Sequence, residues 1–259
     1  MNQKLATAFA QGKAFIPFVT CGDPDLETTR AIVRSLAQAG ARVIELGIPF
    51  SDPTAEGPVI QGANLRALSG GVNTDKIFEL AAELNEELDV ALVFMTYGNV
   101  VFHYGIERFA QKAADAGICG IILPDVPFEE RGEFAPACKA AGIDLISMIA
   151  PTSKDRISMI AREAEGFIYL VSSLGVTGTR SHITTNLDDI VAQIRAVTDT
   201  PIAIGFGISD AQAAQDMAQK ADGAIIGSAI VKLIAREGTK APAAVGAFAA
   251  ECVKAVNEA

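Results

Sequence analysis

Three carboxylates and three prolines crowd the segment ELGIPFSDPTAEGP, residues 45–58: Glu45, Asp52 and Glu56 with Pro49, Pro53 and Pro58. Carboxylates held in different environments can divide general acid and general base between them. The prolines fix their own φ and bias the residues before them toward extended backbone, so the segment reads as preshaped. Glu45 falls inside the β-rich run 43–47, on the same face as Val43 and Gly47, while Ile44 and Leu46 face the other way. A carboxylate on an inward face is desolvated, which raises its pKa toward the range of a proton donor at neutral pH. The alternative is a buried Glu satisfied by backbone donors or by a Lys or Arg. Glu56, beyond the prolines, reads either as a second active carboxylate or as a surface charge at the positive end of a helix.

A second kind of chemistry is suggested by glycines. Gly175-Val-Thr-Gly178, Gly205-Phe-Gly207-Ile-Ser209 and Gly227-Ser228 each follow a β-rich run, and helices are expected to open near Ser209 and Ser228. Backbone N–H groups at such turns and at helix N-termini hold phosphate without needing basic side chains. Ordinary tight turns are the plainer reading of each one alone. The stretch 172–186, SSLGVTGTRSHITTN, is long for a connection and rich in Ser, Thr and Gly, and it is expected to act as a lid over a bound ligand.

Eight short β-rich runs carry these residues: 15–20, 43–47, 91–96, 119–123, 144–149, 166–171, 201–205 and 222–226. Stretches with helical periodicity lie between them, at 26–39, 75–88, 106–116, 129–141, 154–162 and 187–197. Three of them end in Ala-Gly (Ala39-Gly40, Ala116-Gly117, Ala141-Gly142), where a C-terminal glycine belongs. The even alternation, with no break in composition, predicts one α/β domain over 1–259: a closed (β/α)8 barrel of the TIM type with extra helices. An open Rossmann sheet is the runner-up, but no GxGxxG follows the first run. In a barrel, the chemistry sits on the loops after the strands.

Composition narrows the function further. The 259 residues are 50% hydrophobic, with a mean hydropathy of +0.31, enough for a large core. A net charge of -10 and a pI near 4.7 argue against nucleic-acid binding. No apolar run is long enough to span a bilayer and the N-terminus lacks a signal-peptide core, so a cytoplasmic protein without membrane association is expected. Cys21, Cys119, Cys138 and Cys252 form no CxxC pair, and His103 and His182 have no ligand spacing. Reduced, buried thiols and no bound metal are the expectation.

Further motifs run in order along the chain: IPFVT at 16–20, Gly22-Asp23-Pro24, ELGIPFSDPTAEGP, MTYGN at 95–99, PDVP at 124–127, and the three glycine turns. Together they resemble the tryptophan synthase alpha subunit family, and the 45–58 motif is the most specific part of the likeness. The resemblance implies cofactor-free retro-aldol cleavage of indole-3-glycerol phosphate to indole and glyceraldehyde 3-phosphate. It implies Glu45 as general acid/base, Glu56 as the acid that binds the indole N–H, and Tyr169 as the aromatic beside Glu45. Phe18, Tyr97 and Phe206 fall where they can line an indole slot, and Thr177, Gly178, Gly207, Gly227 and Ser228 correspond to the phosphate end. It also implies an alpha2-beta2 assembly in which a beta subunit carries pyridoxal phosphate, with Asp52, Pro53, Asn99, Asp125 and Pro127 at the contact. Two positions depart from the family's pattern: Glu56, where Asp is more frequent, and Ser173, where some members have Arg.

Two other readings compete. An indole-3-glycerol phosphate synthase or a Schiff-base aldolase requires a lysine on a barrel strand, and none of the eight runs holds one. A subunit that senses ligand and activates a partner without turnover stays open at the level of sequence.

Overall fold

The computed structural model describes residues 2–172 and 187–259. In it β1 (Ala14–Thr20), β2 (Val43–Gly47), β3 (Ala91–Met95), β4 (Ile118–Ile122), β5 (Asp144–Ile149), β6 (Glu165–Val171), β7 (Ile202–Gly205) and β8 (Gly223–Ile226) pair in parallel and in chain order. The barrel closes through β1 and β8, with Ala14 opposite Gly223 and Pro17 opposite Ile226. This is the closed (β/α)8 architecture expected from the alternation, and the strand ends agree with the β-rich runs to within about one residue.

The side-chain alternation of each strand sorts the core into two layers. Ala14, Ile16, Val43, Val93, Phe167 and Ala203 fill the barrel, whereas Ile44, Leu46, Leu92 and Phe94 face outward and pack on the helices. The lower end is filled by α1 (Gln3–Ala10), whose Leu5 and Ala8 join the interior cluster. Asn2 caps this helix by accepting from the Lys4 N–H at 3.0 Å.

The outer ring comprises α2 (Leu26–Gln38), α3 (Pro58–Ser69), α4 (Thr74–Glu87), α5 (Gly98–Tyr104), α6 (Ile106–Asp115), α7 (Ala135–Ala141), α8 (Ile157–Arg162), α9 (Leu187–Arg195), α10 (Ala211–Ala218), α11 (Ser228–Glu237) and α12 (Ala241–Asn257). The terminal α12 packs against α2 and α10. Gly40, Gly117 and Gly142 all adopt positive φ after their helices, as the Ala-Gly pairs predict.

Two predicted helices are broken. The periodic stretch 129–141 divides into a 3-10 turn, Phe128–Glu133, and α7, with Phe134 at φ -103° between them. Pro136 explains the break, since it lacks the N–H that a continuing helix needs and is tolerated in a first turn. The stretch 154–162 likewise begins as a 3-10 segment, Pro151–Arg156, interrupted at Lys154 (φ 44°, ψ -118°) before α8 starts. The expected lid falls almost wholly on residues 173–186, which lie outside the described residues together with Ser173, Gly175, Thr177, Gly178 and His182.

Gly205, the last residue of β7, is dictated by a close approach. A β-carbon there would lie 2.5 Å from the Tyr169 hydroxyl and 2.7 Å from its ring, so the buried Tyr169 would have to shift. Gly205→Ala is expected to destabilise the fold by about 2 kcal/mol, the usual scale of overpacking. Gly132→Ala, with no atom within 4 Å of the added carbon, should change stability by less than about 0.5 kcal/mol. Urea denaturation of the two variants reads the difference.

Candidate active site

Glu45 lies mid-strand in β2, opposite Phe18 of β1 and Val93 of β3. It is 0% exposed, and neither carboxyl oxygen has a hydrogen-bond partner among the described residues. Among the described residues, neither a cation nor a backbone donor satisfies it as a purely structural buried acid. Desolvation pushes its pKa up from 4.5 to about 8, so the group carries a proton at neutral pH. Tyr169 on β6 stands close enough to feel it: burial first, then the charge of Glu45, drive the phenol well above its ordinary value. Two residues along β2 from Glu45, Gly47 leaves space for the Phe18 ring, whose Cζ would come within 2.5 Å of a β-carbon there.

Glu56 ends the proline-shaped loop after β2, just before α3. Asn64, one face of α3 inward and 4% exposed, donates from Nδ2 to Glu56 Oε2 at 2.7 Å. Tyr97, at the start of α5, accepts from the Ala55 N–H at 3.1 Å and hydrogen-bonds the Glu56 carboxylate. Desolvation raises the pKa of Glu56 to about 7, and the bonds from Asn64 and Tyr97 oppose that rise. The two acids thus differ in kind: one buried and unpartnered, the other half-buried and held by two donors.

Both border one cavity of about 430 Å³ at the C-terminal mouth of the barrel. Phe18, Ile60, Met95, Tyr169, Phe206 and Ile225 give it apolar walls. Gly207 and Ser209 after β7, and Gly227 and Ser228 at the start of α11, also line it. Gly227 caps α11 without a side-chain hydrogen bond, and the first turn of α11 contains no acid, so its free N–H groups are available to an anion. Phe206 holds a positive φ of 74°, which costs a non-glycine residue about 1 kcal/mol. Its carbonyl accepts from the Ser172 hydroxyl, which secures the strained turn.

The tryptophan synthase alpha chain family model matches residues 5–258. The chain is 49% identical to the tryptophan synthase alpha chain of Lacticaseibacillus casei over 257 residues, covering 99% of this chain and 97% of the relative. It is 53% identical to that of Lactiplantibacillus plantarum over 232 residues, 89% and 88% of the two chains. The chain belongs to the tryptophan synthase alpha chain family. Among solved structures, tryptophan synthase subunit alpha from Legionella pneumophila superposes with a TM-score of 0.89 at 31% identity over 100% of both chains. Mycobacterium tuberculosis tryptophan synthase gives 0.89 at 32% identity over 99% of each chain.

Within this family member the expected site residues are distributed as follows. Glu45, Glu56, Phe18, Tyr169, Phe206, Gly207, Gly227 and Ser228 meet around the one cavity. Tyr97 stands behind the loop, 2% exposed and stacked on Phe50 at 5.2 Å, where it supports Glu56 instead of forming the cavity wall. Thr177 and Gly178 lie outside the described residues. Asp52 and Pro53 lie on the loop after β2, Asn99 in the first turn of α5, and Asp125 and Pro127 on the loop after β4, where Asp125 accepts from the Gly98 N–H of α5 at 2.9 Å. Asn64 and Lys232 escaped the sequence reading. Lys232 lies four positions after Ser228, so the helical repeat places it on the same face, and that spacing was the available signal.

No helix among the described residues is long and apolar enough to cross a membrane. The four cysteines are free and buried.

The raised pKa of Glu45 has a sign in stability. Below its ordinary value of 4.5 both native and unfolded states hold the proton. Between 4.5 and about 8 the unfolded chain releases it while the native protein keeps it, so stability falls as pH rises through that window. Glu45→Gln removes this dependence. Urea titrations at about pH 5 and about pH 8.5 should show the variant gaining stability relative to wild type by a few kcal/mol at the higher pH; parallel pH profiles would contradict the assignment.

Proposed function

We infer that this cavity is where the chain cleaves indole-3-glycerol phosphate into indole and glyceraldehyde 3-phosphate. The observation that carries the reading is the pairing of a buried, protonated Glu45 with a half-ionised Glu56 across an apolar slot that ends at an uncapped helix N-terminus. In this reading the indole ring lies between the apolar walls and the phosphate meets the backbone N–H groups of α11 and the Gly207 turn.

The bond to be broken joins the indole ring to the glycerol chain. Glu45 gives its proton to the ring carbon that bears the chain, and positive charge develops on the ring nitrogen. Glu56, held by Asn64 and Tyr97, accepts the ring N–H and stabilises that charge. The carboxylate left on Glu45 then takes the proton of the adjacent hydroxyl. That oxygen's electrons form the aldehyde carbonyl, the carbon–carbon bond breaks, and its electron pair returns to the ring. Glu45 ends as it began, protonated, and the reaction calls on no cofactor of the chain's own. Burial matters twice, since it keeps Glu45 protonated at rest and keeps bulk water from the intermediate.

The reading extends to the whole molecule: residues 1–259 act as one cytoplasmic barrel domain that delivers indole to a beta subunit bearing pyridoxal phosphate. The clustered Asp52, Pro53, Asn99, Asp125 and Pro127 form the contact, in an alpha2-beta2 assembly. Family membership supports this partner, and a solved relative from Pyrococcus furiosus is a tryptophan synthase complex.

Indole release from indole-3-glycerol phosphate, by the chain alone and then with a beta subunit, tests the proposal. Wild type should turn over, and Glu45→Gln should lower kcat by about 10²- to 10⁴-fold, the usual contribution of a general acid/base. Binding of glycerol 3-phosphate by the same variant should stay within a few fold. No turnover by the wild type in either setting would favour a subunit that only senses ligand.

A further inference from the structure

We propose that Lys232 is a specificity-determining residue that selects the phosphorylated substrate and fixes which way round it lies in the cavity. This rests on the reading of the cavity given above. Lys232 follows Ser228 by one helical turn on α11, so both side chains rise from the same face, and both border the cavity. Its ammonium makes no ion pair or hydrogen bond with the described residues, while several other exposed cations, such as Arg156 and Arg236, are engaged with carboxylates. Lys232 is the fifth residue of α11, one turn beyond the free N–H groups at Ser228, and the first turn of the helix holds no acid to pair with it.

The rest of the cavity explains why an anion needs this help. Among the described residues the ionisable groups that line it are Glu45, Glu56, Tyr169 and Lys232, and the chain's net charge is -10. A phosphate dianion approaching such a mouth is repelled by Glu56 and by the molecule as a whole. Backbone N–H groups bind it at short range but give little attraction from a distance. A lysine on a flexible stem supplies a point charge suited to phosphate. It is placed at the Ser228 end of the slot, so the phosphate is drawn there and the indole N–H is left facing Glu56. Binding in the reversed sense would put the phosphate toward Glu45 and the partly ionised Glu56 and leave Lys232 without a partner.

The test compares indole-3-glycerol phosphate with unphosphorylated indole-3-glycerol, using wild type, Lys232→Gln and Lys232→Arg. The ratio of kcat/KM for the two substrates should fall about tenfold in Lys232→Gln, with the loss in KM, and should be largely restored in Lys232→Arg. Added salt should depress kcat/KM for the phosphate ester more steeply in wild type than in Lys232→Gln. Inorganic phosphate, as a competitive inhibitor, should weaken in parallel. Equal losses on both substrates, or an unchanged salt dependence, would make Lys232 a structural residue and overturn the assignment. Absence of indole release by wild type would instead overturn the reading of the cavity.

Discussion

A carboxyl group with no hydrogen-bond partner, enclosed in the interior of a closed barrel, is the constraint on which the rest of this molecule turns. Burying an ionised carboxylate in such a place costs several kcal/mol, and holding it protonated lowers but does not remove that cost. Glu45 sits on the one strand position that faces inward between Val43 and Gly47, with Phe18 and Val93 as its sheet neighbours. The barrel tolerates the defect because the surrounding interior is densely apolar, from Leu5 of α1 below to Ile225 of β8 at the cavity. A folding defect in one accounting is, in the reading proposed above, a proton donor matched to neutral pH.

The second acid follows the opposite logic. Glu56 is carried by backbone outside the barrel, and its environment is assembled from separate elements: Asn64 from α3, Tyr97 from α5, and the prolines that shape the loop. Those donors favour its charged form while burial disfavours it, which leaves it near the midpoint of ionisation at neutral pH. One acid is therefore tuned by the absence of partners and the other by their presence. The extra methylene of Glu, where the family resemblance leads one to expect Asp, is compatible with this arrangement because Asn64 meets the carboxylate at a normal 2.7 Å.

The parts legible from the residues were those set by a local rule. Strand alternation placed Glu45 inside and Ile44 and Leu46 outside, and the glycine turns after the later strands correctly announced the rim at Gly207 and Gly227. The less legible parts depend on contacts between distant segments. Nothing in the local pattern around Tyr97 distinguishes a cavity wall from a support, and the choice is made by Ala55, forty-two residues away. Asn64 looks like an ordinary polar residue of α3 until the loop before it folds back and brings Glu56 within reach. The breaks near Phe134 and Lys154 were hidden because apolar spacing continues through them while the backbone does not.

Strain at the rim fits the same pattern of a rigid frame holding unfavourable local states. Phe206 keeps a left-handed conformation between two glycines, and its carbonyl is tied to Ser172 at the end of β6. That conformation turns the ring toward Tyr169, 6.2 Å away and edge-on, so one residue closes the apolar slot while the next, Gly207, begins the polar rim. A residue with ordinary φ would send the chain along the strand and separate these two surfaces. The cavity's change from apolar wall to polar rim within two residues is thus a consequence of backbone geometry. The strands supply the stability that keeps both the strained turn and the unpartnered acid in place.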